Sequence, residues 1–263
     1  MLKKLMGKAK RRKGEIKKQL GKKTSSNLKQ FLLIALILVI IIPSSFATYK
    51  RNVVWNKAVT IGEDVVRKSS EKGRGHSNLG ADYHDAGQLE KAIREYMTAL
   101  KLNPNDAGAY NNLGNIYYNQ RKLDDAIEEY KHALRLKHDF AEAYHNLGLA
   151  YYEQGRLDEA TQQFLTAVEL KPGFVAAYNN LGLAYYHKGQ LNEAVQKYIA
   201  AITLDPDYPK AHYNLGVVYW KMGLKDKVKE EFQKALKLRP DFTEAQQALE
   251  LLGRESQTLK SEQ

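Results

Sequence analysis

Cysteine is absent from this 263-residue sequence, and so are the motifs that accompany phosphate and nucleophile chemistry. Without cysteine, the chain has no disulfides, no thiolate nucleophile and no cysteine-ligated zinc. It contains no glycine-rich phosphate loop and no nucleophile motif. Its seven histidines include no pair four residues apart, the spacing that helical metal sites use. We therefore expect no metal, no cofactor and no enzymatic activity.

Acidic residues are almost missing from the first 29 positions, where Glu15 stands among twelve lysines and arginines. The whole chain has 41 basic and 30 acidic residues, so the positions after 29 carry 29 of each. The net charge of +11 therefore comes from one tail. A basic tail beside an apolar segment indicates a membrane, with anionic lipid headgroups as the tail's partner, and nucleic acid is not expected.

Charged residues are also missing from positions 31–49, which include the apolar run FLLIALILVIII. At about 1.5 Å per residue, a helix of this length nearly spans a hydrocarbon core of roughly 30 Å. We predict a single transmembrane helix at 31–49, a disordered cytoplasmic tail at 1–30 and an amphipathic helical connector at 50–72. The charge asymmetry then places the rest of the chain on the extracytoplasmic side, the periplasm in a bacterium. A signal peptide cleaved after Ala47, followed by soluble export, stays an alternative.

What the sequence does have is an internal repeat of 34 residues. Each unit contains Leu-Gly, then a tyrosine three residues later, and then a small residue, an aromatic residue and an alanine. A proline stands near the end of every unit except the second, which has His138 there. The five dipeptides are Leu79-Gly80, Leu113-Gly114, Leu147-Gly148, Leu181-Gly182 and Leu215-Gly216.

Each unit is predicted to form two antiparallel helices. A glycine inside a helix costs about 1 kcal/mol relative to alanine, so its recurrence indicates close packing. We expect the small residue twelve positions later, such as Ala92 after Gly80, to meet it. A second glycine ends the first helix in four units, with Arg121 at that position in the other, and the proline ends the second helix.

These residues resemble the tetratricopeptide repeat pattern over positions 73–242. The resemblance divides that stretch into units at 73–106, 107–140, 141–174, 175–208 and 209–242. It implies an all-α, right-handed solenoid of five helix-turn-helix repeats, whose first helices line a concave groove. Residues 243–253 are predicted to form a capping helix, and 254–263 a flexible tail.

The resemblance also implies that a partner peptide binds in the groove. One asparagine precedes each Leu-Gly, and the resemblance places it on the inner surface: Asn78, Asn112, Asn146, Asn180 and Asn214. Because an amide both donates and accepts hydrogen bonds, this row could hold a peptide backbone. The alternative is that each asparagine bonds only its neighbours. Further candidates are Asn111, Asn115, His145 and Asn179, and an aromatic row of Tyr118, Tyr152, Tyr186 and Trp220, which could form a binding hot spot or pack between repeats.

The charges expected in the groove change along the array, from Glu142 and Glu153 to Lys210 and Lys221. Some family members hold C-terminal carboxylates with a lysine and an asparagine one turn apart on the first helix. The corresponding pair in the second unit is Asn111 and Asn115, so we do not predict the binding of chaperone tails.

The sequence therefore predicts a membrane-anchored scaffold that binds a partner protein or peptide within an envelope assembly. Two alternatives stay open. One is a self-assembling scaffold that forms homo-oligomers through its repeats. The other is a non-catalytic partner subunit of a glycosyltransferase or export enzyme, because the repeats also resemble those of protein O-linked sugar transferases.

Overall fold

The computed structural model describes residues 53–261, with side chains as far as residue 254. These residues form helices and connecting turns, with no strand among them. Helix α1 covers residues 53–68. It is followed by α2 (Gly73–Asp85), α3 (Leu89–Leu102), α4 (Ala107–Asn119), α5 (Leu123–Leu136), α6 (Ala141–Glu153), α7 (Leu157–Leu170), α8 (Val175–His187), α9 (Leu191–Leu204), α10 (Pro209–Lys221), α11 (Lys225–Leu238) and α12 (Thr243–Ser261).

The predicted cytoplasmic tail at 1–30 and the predicted transmembrane helix at 31–49 lie outside the described residues. Within 53–261, no helix combines the length and apolar character needed to cross a membrane. The chain divides into two compact units, Met1–Ile61 and Gly62–Gln263. In the first unit, the described residues 53–61 are helical, and Val54 and Ile61 are exposed.

The second unit begins with the end of α1, which packs on α2. The Tyr83 hydroxyl donates a hydrogen bond of 2.5 Å to the Glu63 carboxylate, and burial together with this bond raises the pKa of Tyr83 to about 12. The turn between α1 and α2 occupies residues 69–72. Gly73 starts α2, where an added Cβ would lie 3.0 Å from the Ala99 carbonyl oxygen. That glycine is therefore explained by close helix packing.

Five helical hairpins follow, and their first helices begin at residues 73, 107, 141, 175 and 209. The predicted all-α solenoid is thereby confirmed. Each second helix ends at a leucine two residues before the proline, or before His138 in the second repeat. Each first helix is followed directly by a short turn that contains a residue with positive φ. The φ value is near +75° for Gly87, Gly155, Gly189 and Gly223, and +62° for Arg121.

The glycine of each Leu-Gly packs against an aromatic ring of the second helix. A Cβ added to Gly148 would lie 2.7 Å from Phe164 Cε1, and one added to Gly216 would lie 2.6 Å from Phe232 Cε1. The sequence correctly indicated close packing at these glycines, but the contact that requires it is the aromatic residue sixteen positions later. The predicted partner, the alanine twelve positions later, is buried one turn away, as Ala160 is in the third repeat.

The hairpins stack in register. Each second helix packs on the first helix of the following repeat, α3 on α4, α5 on α6, α7 on α8 and α9 on α10. Consecutive first helices also touch, α2 with α4, α4 with α6, α6 with α8 and α8 with α10. No comparable packing joins consecutive second helices in the part of the chain described here. The array therefore curves, with the first helices on its inner side.

Helix α12 occupies the place of a sixth first helix. It buries Ala248 and Leu252 against Val228 and Phe232 of α11. The helix passes Gly253 and continues to Ser261, eight residues beyond the end predicted from the sequence. The following residues RESQTLKS contain no proline or glycine, so nothing in them stops a helix.

Candidate interaction surface on the inner face

The inner face is the surface formed by first-helix side chains that bridge consecutive repeats. Its most regular feature is a row of side-chain hydrogen bonds in which an asparagine of one repeat donates to the residue 35 positions earlier. We call this row the asparagine seam. Its three links join Asn146 to Asn111 at 3.1 Å, Asn180 to His145 at 2.9 Å and Asn214 to Asn179 at 2.9 Å.

The asparagine seam is tied to the hairpin cores in the second repeat. Asn146 also donates to the Asn115 side-chain oxygen at 3.0 Å, and the buried Tyr130 hydroxyl donates to the same oxygen at 2.8 Å. Asn111 is buried and donates to Asn112 at 3.4 Å, and the buried Asn179 donates to Asn180 at 3.3 Å. Many amide groups of the seam therefore already bond within the array, either to the preceding repeat or to the adjacent residue.

His145 takes the place of an asparagine in the seam. Burial between the rings of Phe164 and Phe174 lowers its pKa to about 4. The ring is therefore neutral near pH 7, and its Nε2 accepts the hydrogen bond from Asn180. Asn78 and Asn112, the remaining predicted members, lie outside these three links; Asn78 is exposed and Asn112 is half-buried.

The predicted aromatic row is present and half-buried. It consists of Tyr118, Tyr152, Tyr186 and Trp220. One edge of each ring packs on the hairpin core, as Trp220 does on Phe232 with ring centroids 6.2 Å apart. The rest of each ring is accessible. Both roles foreseen for the row, packing and display, are therefore compatible with its geometry.

In the third, fourth and fifth repeats, the residue that follows the aromatic residue of the row contacts the aromatic residue of the preceding repeat. Glu153 lies beside Tyr118, whose pKa is raised by burial and by that carboxylate. The His187 ring meets the Tyr152 ring edge-on at 5.6 Å, and the Lys221 ammonium sits 4.8 Å from the centre of the Tyr186 ring. The aromatic partner stays a tyrosine along the array, while its neighbour changes from a carboxylate to an imidazole to an ammonium group. The sequence shows these residues, but their 35-residue pairing emerges only from the stacking.

Sequence reasoning missed an apolar line beside the aromatic row. Leu149, Leu183 and Val217 are half-buried and lie one turn before the aromatic residue of their own helix. This spacing places each on the same stripe as that ring. Their recurrence every 34 residues was the available signal. The inner face thus combines apolar contact area with a polar seam, as peptide-binding surfaces commonly do.

The two glutamates of α6 on the inner face are already paired. Lys171 binds Glu142 at 2.7 Å, and Arg121 binds Glu153 at 2.6 Å. Lys210 and Lys221 are exposed, and neither has a carboxylate within 4.0 Å among the residues that the structure describes. Along α6, α8 and α10 the predicted charge change is therefore sharper than the sequence suggests, because the acidic residues are neutralised by partners and the two lysines are not.

The two outer repeats carry a buried His–Glu pair that the sequence did not reveal. His212 bonds Glu231 at 2.6 Å and the Pro206 carbonyl oxygen at 3.1 Å. Glu231 raises the pKa of His212, and although burial alone would raise the pKa of Glu231, the hydrogen bonds from His212 and Lys234 hold it below its usual value. His76 makes the equivalent contacts in the first repeat. Both pairs are internal supports for their hairpins.

No group of three or more potential metal ligands occurs within the described range. His132 stacks on Tyr110 with ring centroids 5.1 Å apart, and His187 lies between two tyrosine rings. His132 and His187 therefore pack against aromatic rings, while His145 belongs to the asparagine seam.

Comparisons with known proteins agree with this architecture. The family model described as TPR repeat matches residues 80–121, 114–155, 148–189 and 182–223, and the one described as Tetratricopeptide repeat matches residues 209–242. No protein with a curated description matches the chain.

Solved structures with the same fold include YrrB and MamA, each more than 25% identical to this chain. YrrB, described as a TPR protein with an unusual peptide-binding site, is 26% identical with a TM-score of 0.61, and the match covers 72% of this chain and 97% of YrrB. MamA is 31% identical with a TM-score of 0.58, over 62% of this chain and 95% of MamA. MamA from Desulfovibrio magneticus RS-1, at 22% identity and a TM-score of 0.60 over 65% of this chain and 97% of that one, shares the fold.

Proposed function

The chain belongs to the tetratricopeptide repeat family, and we propose that it is a scaffold whose inner face binds an extended segment of a partner protein. The observation that carries this proposal is the continuous inner face of half-buried aromatic and apolar residues, from Tyr118 to Trp220, beside the asparagine seam. Aromatic side chains offer large contact area at low entropic cost, so such a row is suited to a binding hot spot.

The state of the asparagine seam favours recognition of side chains over recognition of the peptide backbone. Asn146, Asn180 and Asn214 already donate across the repeat boundaries. A ligand that took these donors would have to replace internal hydrogen bonds of the array. Binding to the aromatic row and the apolar line needs no such replacement, because covering their apolar area stabilises the complex directly. The peptide-binding site named for YrrB supports this assignment at the level of the family.

We further propose that the array is tethered to a membrane through residues 31–49, with the N-terminus in the cytoplasm and the repeats on the other side. The support is the uncharged run and the twelve basic residues that precede it. Such a tether suits a scaffold within an envelope assembly. Proteinase K, added to otherwise intact cells whose outer envelope has been permeabilised, tests this arrangement. The repeats should be degraded while the basic tail is protected, and protection of the repeats would reverse the topology.

A photo-crosslinking residue tests the use of the inner face without breaking the seam. We would place p-benzoylphenylalanine at Tyr152, an inner position, and at Ile199, which is exposed on the second helix α9. The full-length protein would be irradiated in the cells that make it, and the adducts identified by mass spectrometry. A defined partner adduct at Tyr152 and none at Ile199 is expected. Equal adducts at both positions, or none at Tyr152, would contradict inner-face binding.

The same experiment distinguishes the self-assembling alternative. If the adduct formed at Tyr152 is a second copy of this chain, the inner face joins protomers and the protein is a homo-oligomeric scaffold. Light scattering on the full-length protein in nanodiscs would then give more than one copy per particle at micromolar concentration.

A further inference from the structure

The distribution of charge on the first helices singles out one end of the inner face. Helices α8 and α10 contain no aspartate or glutamate, and α10 contributes Lys210 and Lys221. Helix α2 carries Asp82 and Asp85, and α6 carries two glutamates that are both paired. From the third repeat onward, the unpaired charges on the described first helices are therefore those of Lys210 and Lys221, both in the last repeat. The other unpaired cation on a described first helix is Arg74, which shares α2 with the two aspartates.

Lys221 is held where a ligand would pass. Its ammonium group lies 4.8 Å from the centre of the Tyr186 ring, within the range of a cation–π interaction. This contact uses one side of the ammonium group and leaves donors for a carboxylate. Glu244 of α12 is an acidic residue at this end of the array. Burial raises the pKa of Tyr213, and the negative charge of Glu244 raises it further. Neither lysine is within 4.0 Å of the Glu244 carboxylate.

The surface between the two lysines is apolar. It includes Val217 and Trp220 of α10, with Leu183 on the adjoining α8, and all three are half-buried. Lys210 and Lys221 are eleven residues apart on one helix. At about 1.5 Å per residue their Cα atoms are therefore roughly 16 Å apart. An extended peptide covers that distance in about five residues, at roughly 3.3 Å each.

We propose that this C-terminal inner segment, formed by Leu183, Tyr186, Lys210, Val217, Trp220 and Lys221, binds an acidic and apolar stretch of a partner protein. The partner's carboxylates lie about five residues apart and pair with the two lysines. The leucine, phenylalanine or similar side chains between them cover the apolar surface. This assignment rests on the proposed use of the inner face and adds the chemistry of the partner. Two lysines on a surface this apolar fit a mixed peptide better than a nucleic acid backbone, whose charge repeats at every nucleotide.

The test uses full-length protein in nanodiscs that contain anionic lipid, so that the basic tail is occupied. The probe is a fluorescein-labelled twelve-residue peptide with two glutamates separated by four residues, of which two are leucine and phenylalanine. Comparison probes replace both glutamates by glutamine or by lysine, and an oligothymidine of twelve nucleotides serves as competitor. Binding is followed by fluorescence anisotropy at physiological salt.

The diagnostic variant is Lys210→Ala/Lys221→Ala, and the matched control is Lys225→Ala/Lys229→Ala, two exposed lysines on the outer helix α11 of the same repeat. Both variants keep the basic tail and change the net charge equally. Exposed ion pairs contribute about 0.2–1 kcal/mol each, so the loss of two should weaken binding of the glutamate probe about tenfold. The control variant should bind within twofold of the natural chain, and the glutamine probe should bind about tenfold more weakly than the glutamate probe.

Three results would overturn the assignment. The glutamine probe could bind as tightly as the glutamate probe, the control variant could lose as much affinity as the diagnostic one, or the oligothymidine could displace the glutamate probe at equal concentration. If any of these occurs while Tyr152 still gives a partner adduct in cells, the inner face remains the binding surface and only the acidic character of its partner is refuted. If the Tyr152 adduct is also missing, both proposals fail.

Discussion

Replacing Gly148 by alanine sets two effects of known sign against each other. In an isolated helix the change is favourable by about 1 kcal/mol, because alanine has the higher helix propensity. In this array the new Cβ would lie 2.7 and 2.8 Å from two carbons of the Phe164 ring, whereas ordinary contact begins near 3.4 Å. Phe164 is completely buried, so its ring cannot turn away into solvent.

The clash should outweigh the gain. Overfilling a well-packed core costs about 1–3 kcal/mol, and a rigid ring between two helices belongs at the upper end of that range. We expect Gly148→Ala to lower the free energy of unfolding by about 1–2 kcal/mol after the helical gain is subtracted. Urea denaturation followed by circular dichroism measures this value, provided that the denaturant slope is unchanged.

The chain supplies a matched control at Gly253. That glycine also lies inside a helix, but an added Cβ would meet no atom within 4 Å. Gly253→Ala should therefore leave the stability unchanged or raise it by as much as about 1 kcal/mol. A smaller ring partner supplies a second check, because Gly148→Ala should cost less in a Phe164→Leu background than in the natural chain. Equal stabilisation by both alanine substitutions would refute the argument that the ring contact requires the glycine.

Three further predictions concern the turns, the outer repeats and the asparagine seam. Arg121 has φ of +62° and forms an exposed ion pair with Glu153, so Arg121→Gly should stabilise the protein by roughly 0.5–1 kcal/mol; a loss of stability in urea would contradict this. The raised pKa of His212 means that its contribution is complete below pH 6.5 and is lost as the pH rises through the folded-state pKa. The lowered pKa of Glu231 means that its contribution to the folding stability is complete above pH 4.5 and is lost as the pH falls. His212→Gln should therefore destabilise the protein most between pH 4.5 and 6.5. An equal loss of stability at pH 9 would count against the pair. Asn146→Ala removes two hydrogen bonds between repeats and should cost about 1–2 kcal/mol, whereas the exposed Asn78→Ala should cost less than about 0.5 kcal/mol; similar costs would argue against the seam.

The helical hairpins were predictable because the same sequence pattern recurs in every repeat. Five copies of Leu-Gly at one spacing fix the register of the first helices, and the turn glycines with the following prolines fix the helix ends. The structure adds that Arg121 adopts the same left-handed conformation as the glycines it replaces. Nothing in the sequence around Gly253 distinguishes a helix end from a helix interior, and there the predicted boundary and the observed one differ.

The inner face was only partly predictable, since its interactions cross between repeats. The sequence showed that asparagine recurs before Leu-Gly, but not that Asn146 donates to Asn111 in the preceding repeat. The His212–Glu231 pair joins residues nineteen positions apart on two helices, a distance at which local patterns carry no information. The neutralisation of Glu153 by Arg121 likewise depends on how two repeats are stacked.

The links between neighbouring repeats also bear on how such an array can diversify by gene duplication. The ring of Tyr186 belongs to one repeat and the ammonium group above it, Lys221, to the next, so this contact needs a pair of adjacent repeats. Copying one repeat into another array separates its tyrosine from that cation, whereas copying two together keeps one complete pairing. The seam is more tolerant, because its donor asparagine recurs in successive repeats and its acceptor is either asparagine or histidine. The hydrogen bonds of the seam can therefore survive the exchange of single repeats, while the tyrosine–lysine contact is kept only when two adjacent repeats are copied together.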